Sequence, residues 1–177
     1  IESREDIMGE LCDIYDINGK KTGKVFERGQ NLNDGELQLV TDIWIINNKS
    51  QILIQKRSKD KVISPNIWAT HGGCVATNET SLNGCIREAH EEIGILLNIK
   101  DIQLLTRSIS DTLIMDSYIV IHEFNISLAI LQVEEVGDLK WVSLNELKDM
   151  VKNKCFFNYL ELPYVIKFIN SQKLNKK

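Results

Sequence analysis

The chain predicts one mixed α/β domain over residues 1–177. Three observations carry this. Short β-rich runs are bounded by turn residues, amphipathic segments with helix caps lie between them, and no repeat or Pro/Gly/Ser-rich linker divides the chain. Within it, residues 1–34 form an N-terminal strand region, 35–153 the core, and 154–177 a C-terminal helix and tail.

Residues 11–15 and 38–46 are β-rich, and Asn47 to Ser50 makes a turn before a strand at Ile52 to Gln55, placing a hairpin near the middle of the sheet. Ser64-Pro65-Asn66 breaks regular structure, and Gly72-Gly73 reads as a turn. A helix starts near Thr80 and stops at Gly94, a residue suited to a left-handed C-terminal position. Strands are expected at Ile102–Thr106, at Thr112–Phe124 with internal breaks, and at Leu139–Val142. Ser143 and Glu146 have capping-box spacing, so another helix begins there. The segment from Phe157 to Ile169 is apolar at near-helical spacing and packs on the domain, with a homodimer contact as the alternative.

Hydrophobic residues make up 43% of the chain and charged residues 26%, which argues against disorder. A net charge of -4 excludes a generally basic, nucleic-acid-coating surface. No apolar run reaches the ~18 to 20 residues that span a bilayer. No membrane partner is therefore expected; the given residues show no signal-peptide pattern, and the reduced thiols below lead to the expectation of a cytoplasmic location. Cys12, Cys74, Cys85 and Cys155 show no zinc spacing and read as reduced thiols.

On a helix over 82–93, Leu82, Cys85, Ile86, Ala89 and Ile93 share an apolar arc of about 100°. Glu88, Glu91 and Glu92 fill a neighbouring arc, with Arg87 as the cation nearby. Carboxylates this close repel one another, so the face is either a solvated acidic surface or a cation site. Oxygen-only ligands would suit Mg²⁺ or Mn²⁺.

The surrounding segment, GCVATNETSLNGCIREAHEEIGI, fits G-x5-E-x7-R-E-U-x-E-E-x-G-U at every fixed position: Gly73, Glu79, Arg87, Glu88, Glu91, Glu92 and Gly94, with Ala89 and Ile95 at aliphatic places. It resembles the Nudix box, over residues 73–95. That resemblance implies an α/β/α sandwich around a mixed β-sheet, with the box as loop-helix-loop. It also implies a metal-dependent hydrolase acting on a small-molecule diphosphate, such as a nucleoside diphosphate joined to another group. By the same resemblance Glu88, Glu91 and Glu92 are similar to metal ligands for Mg²⁺ or Mn²⁺, helped by a carbonyl at Gly73. Glu79 looks like the glutamate that sits near the metal or pairs with the arginine, and Arg87 like the residue that orients the carboxylates. Glu88, Glu134 and Glu135 are candidates for the base that takes the proton of the attacking water. Gly84 inside the helix costs about 1 kcal/mol against Ala, and close packing against the sheet is its candidate reason.

Three further stretches resemble the branch holding isopentenyl-diphosphate isomerase and its hydrolase relatives: ELCDIYDINGKKTG at 10–23, GELQLVTDIWIINNKSQILIQKRS at 35–58 and SPNIWATHGG at 64–73. The isomerase pattern is incomplete. Gly73 stands in the place of its cysteine, Val75 and Gln38 in the places of histidines, while Cys74 is one residue off. Hydrolysis is therefore the expected chemistry, with isomerisation as its rival. A non-catalytic nucleotide-binding module, which would typically lose box carboxylates, is a third reading.

Lys56, Arg57, Lys59 and Lys61 form a basic cluster that could grip phosphate or be a solvated loop; Arg57, Lys59 and Lys61 are the substrate-binding candidates. Trp68 reads as core, His71 as a polar turn residue and His90 as structural. Phe156, Phe157, Tyr159, Tyr164 and Phe168 are expected to seal one edge of the core.

Overall fold

A computed structural model describes residues 9–174, so the outermost ends of the expected domain, 1–8 and 175–177, lie outside the described residues. The elements run β1 (Leu11–Tyr15), β2 (Lys21–Glu27), β3 (Leu37–Ile46), β4 (Ile52–Arg57), β5 (Trp68–Ala69), β6 (His71–Cys74), α1 (Ser81–Ile93), β7 (Gln103–Ile109), β8 (Leu113–Ile121), β9 (Val136–Val142), α2 (Leu144–Lys152) and α3 (Leu162–Leu174).

β3 organises the sheet. Along one edge it pairs in parallel with β8, from Gln38 opposite Leu113 to Ile46 opposite Ile121. Its other edge is shared by three antiparallel partners in turn: β1 near Gln38, β6 from Val40 to Ile43, and β4 at Ile45 and Ile46. β9 and β5 extend the sheet from β4, β7 from β8 and β2 from β1.

Alternation along β3 feeds two cores. Ile43 and Ile45 pack with Cys85, Ala89 and Ile93 of α1, while Trp44 and Ile46 pack with Leu144 and Leu147 of α2 and Val165 and Ile169 of α3. Helices thus cover both faces of a mixed sheet, the α/β/α sandwich that the box implied.

Local chemistry sets the helix ends. The Thr80 side chain accepts from the Asn83 N–H, and Gly94 closes α1 at φ 73°. Ser143 and Glu146 form the reciprocal capping box of α2.

Several expectations need correction. Gly72-Gly73 is strand, not turn, because β6 pairs with β3 there. β8 runs unbroken from Leu113 to Ile121, its ladder to β3 uninterrupted. The C-terminal helix starts only at Leu162; before it, Trp68 N–H donates to the Cys155 carbonyl and Phe157 N–H to that of Trp68, drawing the chain onto β5. Phe156 and Tyr159 pack their rings on Trp44, 6.1 and 5.3 Å between centroids, whereas Phe157 and Tyr164 remain exposed. No described helix is long and apolar enough to cross a membrane.

Candidate active site

β6, the loop after it and α1 bring the box residues together around Arg87. The guanidinium donates to both Glu79 oxygens (Nε to Oε1 and Nη2 to Oε2, each 3.0 Å), to Glu88 Oε1 and Glu91 Oε2 (both 3.0 Å from Nη1), and to the Cys74 carbonyl (3.1 Å). A planar fork of donors suits this bridging task in a way that a lysine ammonium does not. Glu79 thus pairs with the arginine, and its Oε2 also accepts from the Ala76 N–H at 3.1 Å.

Two glycines make the approach possible. A Cβ on Gly73 would stand 2.5 Å from the Glu88 carboxyl carbon, and one on Gly72 would stand 2.1 Å from the Thr41 carbonyl oxygen. Gly84 also finds its reason here. A Cβ there would meet Glu79 Oε2 at 3.1 Å and Val75 Cγ2 at 3.5 Å, so the helix makes room for the incoming loop rather than for the sheet itself.

The three helix carboxylates differ in environment. Glu88 is buried, and that burial pushes its carboxyl up to about 7 against the opposing pull of Arg87. Glu91 is half exposed. Glu92 turns inward, accepting from Gln55 Nε2 at 2.8 Å and lying 3.3 Å from His71 Nδ1. His71 is therefore no turn residue: it is fully buried in β6, because pairing with Ile43 aims its ring inside. His90 is exposed.

A cavity of about 1000 Å³ opens over Gly73, Arg87, Glu88 and Glu91 and extends to Arg57, Lys61 and Glu135. Lys61 and Glu135 form an ion pair across it. Arg57 donates to the carbonyls of Ile63 (2.8 Å) and Ser64 (3.1 Å), fixing the loop that carries Lys61. The turn after Arg57 carries Lys59 into a separate hollow of about 600 Å³, which Glu134 also lines. Of the two late glutamates, Glu135 is the one on the main cavity.

Sequence reasoning missed Glu10, Arg28 and Gln38, all on this cavity's wall. Glu10 lies 3.5 Å from Arg87 and 3.2 Å from Arg28. Strand β2, which leads to Arg28, is mostly exposed and gave no alternation to read.

A divalent metal is implied by the box. Among the described residues no three His, Cys, Asp or Glu side chains form a ready ligand cluster, and Arg87 bridges Glu79, Glu88 and Glu91. The donor chemistry nevertheless fits a hard cation. The donors are carboxylate and carbonyl oxygens, and the Glu88 carboxyl is pressed against the Gly73 backbone, where burial outweighs the offsetting pull of Arg87 and Arg28.

The NUDIX domain model matches residues 36–159. A Nudix hydrolase of Listeria monocytogenes is 32% identical over 167 residues, covering 94% of this chain and 99% of that one. The chain belongs to the Nudix family. More distantly, an isopentenyl-diphosphate Delta-isomerase of Pectobacterium atrosepticum is 27% identical over 142 residues, 76% of each chain. For the fold, the crystal structure of DR0079 from Deinococcus radiodurans superposes with a TM-score of 0.72 at 18% identity, covering 89% of this chain and 98% of that one. Family membership supports a hydrolase of diphosphate-type linkages.

Proposed function

We propose that the protein is a metal-dependent hydrolase that cleaves a diphosphate linkage in a small molecule, a nucleoside diphosphate derivative, by attack of water on phosphorus. The observation that carries this is the buried Glu88 carboxyl set against the Gly73 backbone and held by Arg87 in the wall of a large cavity.

Glu88, Glu91 and Glu92, with the Gly73 carbonyl, would hold Mg²⁺ or Mn²⁺, which when bound neutralises the diphosphate and acidifies water. Arg87 orients Glu88 and Glu91, and Glu79 in turn orients Arg87. Gln55 fixes Glu92 from behind, with the buried His71 ring beside it. Lys61 and Arg57 face the cavity, where they would attract phosphate oxygens. Glu88 and Glu135 are the two carboxylates placed to take the proton of the attacking water. Glu135 is reached once phosphate draws Lys61 away from it.

The test is a panel of nucleoside diphosphate derivatives, dinucleoside polyphosphates and prenyl diphosphates with Mg²⁺ or Mn²⁺, read by mass spectrometry. Cleavage that chelator abolishes, and that Glu91→Gln lowers at least about a hundredfold, supports the reading. No metal-dependent cleavage of any member would end it.

One observation favours isomerisation as a second reading. Cys74 lines the same cavity, and hydrogen bonding with Cys12, aided by Arg28 and Arg87, lowers its thiol to about 7. Isomerisation leaves substrate mass unchanged and dies with thiol blocking, whereas hydrolysis changes mass and tolerates Cys74→Ser.

A further inference from the structure

The cavity continues past the box onto an uncovered part of the sheet. Strand pairing puts Gln38 beside Leu113 and Val40 beside Met115, and matched residues of parallel strands share a face. Cys74 pairs with Val40 and joins them. All five are half-buried and line the cavity, so they form an apolar floor ending in one amide. Further along the same face the sheet is covered: Trp44 and Ile119 lie in the core beneath α2 and α3. Phe157, exposed, stands on the wall of the same cavity.

Resting on the hydrolase reading above, we propose that this floor is the subsite for a planar heteroaromatic base, and that Gln38 reads the edge of that base. Three features favour this occupant. A flat ring matches a floor of Val40, Leu113 and Met115, where the polarizable thioether packs well on an aromatic face. Among the described residues Gln38 finds little inside the protein: its Oε1 meets only the Cys74 thiol, at 3.9 Å. An amide offers a donor and an acceptor side by side, the arrangement that recognises a base edge. A prenyl chain would fill the floor but leave the amide desolvated and unpaired, which costs a factor of about ten or more in affinity. A sugar in the same place would press its hydroxyls on hydrocarbon.

The experiment compares kcat/KM of the wild type, Gln38→Ala and Gln38→Glu for ADP, GDP, CDP, UDP and dimethylallyl diphosphate, with thermal midpoints to establish that each variant is folded. The wild type should favour one base over the others by about tenfold or more, and all of them over the prenyl diphosphate. Gln38→Ala should shrink the preference among bases to within about threefold, mainly through KM, and Gln38→Glu should reorder it. A wild type that does not distinguish bases, a preference that survives Gln38→Ala, or a prenyl diphosphate as best substrate would each overturn the assignment while leaving the hydrolase reading intact. If the wild type cleaves none of these five, the broader panel above decides the hydrolase reading. Calorimetric titration with the same nucleoside diphosphates then decides the subsite: binding weakened about tenfold by Gln38→Ala upholds it, and unchanged or absent binding refutes it.

Discussion

Replacing Arg87 with methionine should destabilise the protein through the carboxylates it leaves behind. The side chain is 27% exposed and holds Glu79, Glu88 and Glu91 together with the Cys74 carbonyl. Breaking a fully buried ion pair costs about 3–5 kcal/mol. Two corrections lower that figure. The guanidinium is partly wet and Glu91 is half exposed, so its share is that of a surface pair, at most about 1 kcal/mol. Glu88 also sheds part of the penalty by taking up a proton, since its carboxyl already titrates near 7. A net loss of about 2–3 kcal/mol remains, roughly 4–12 °C in Tm for a chain of this size. Metal-free protein at pH 7.5, followed by circular dichroism, measures it. Added Mg²⁺ should raise the Tm of the variant more than that of the wild type, because the cation replaces the missing positive charge. A shift under about 2 °C, or equal responses to Mg²⁺, would refute the view that Arg87 offsets the mutual repulsion of these carboxylates.

Three further outcomes follow from the same geometry. Gly73→Ala should lower kcat at least about a hundredfold by pushing the Glu88 carboxyl out of place, and activity within tenfold of wild type would contradict the steric argument. Lys61→Ala should raise KM about tenfold by removing a phosphate contact, with a smaller effect on kcat; an unchanged KM would remove Lys61 from the binding surface. Asp42 is buried beside Glu161, and desolvation together with that second carboxyl raises it well above the usual carboxylate range, with Ser117, Trp44 and Tyr159 also facing it. A raised folded-state value means stability that is full below pH 4 and lost as pH climbs toward that value. Asp42→Asn should remove this contribution, so denaturant midpoints at pH 5 and pH 8 should differ less in the variant than in the wild type; an equal or larger difference would refute it.

The sequence exposed whatever is settled within a few residues. Thr80, Gly94 and the Ser143–Glu146 box set helix ends through local hydrogen bonds; helical spacing placed the three carboxylates on one face, and only the resemblance to the Nudix box gave that face a metal-binding role. Strand β6 was hidden because two glycines read as a turn until β3 supplies their partners, and His71 was misplaced with it. The role of Arg87 was half visible: spacing predicts Glu91, but Glu79 arrives from a loop. Lys61 and Glu135 meet across 74 residues of chain, a pairing that no local rule reveals. Gln38 stood out for lacking an isomerase histidine, not as part of a subsite.

The central strand also governs when the fold can be completed. β3 has its whole parallel edge committed to β8, some 75 residues later, as the Thr41 to Asp116 bond records, and β4 must wait for β9. A chain leaving the ribosome therefore carries an almost wholly buried strand, Leu37–Ile46, with no partner for one side until residue 121 has emerged. Such late pairing is slow and leaves a sticky edge bare during synthesis, which makes this nascent segment the natural place for a chaperone to bind.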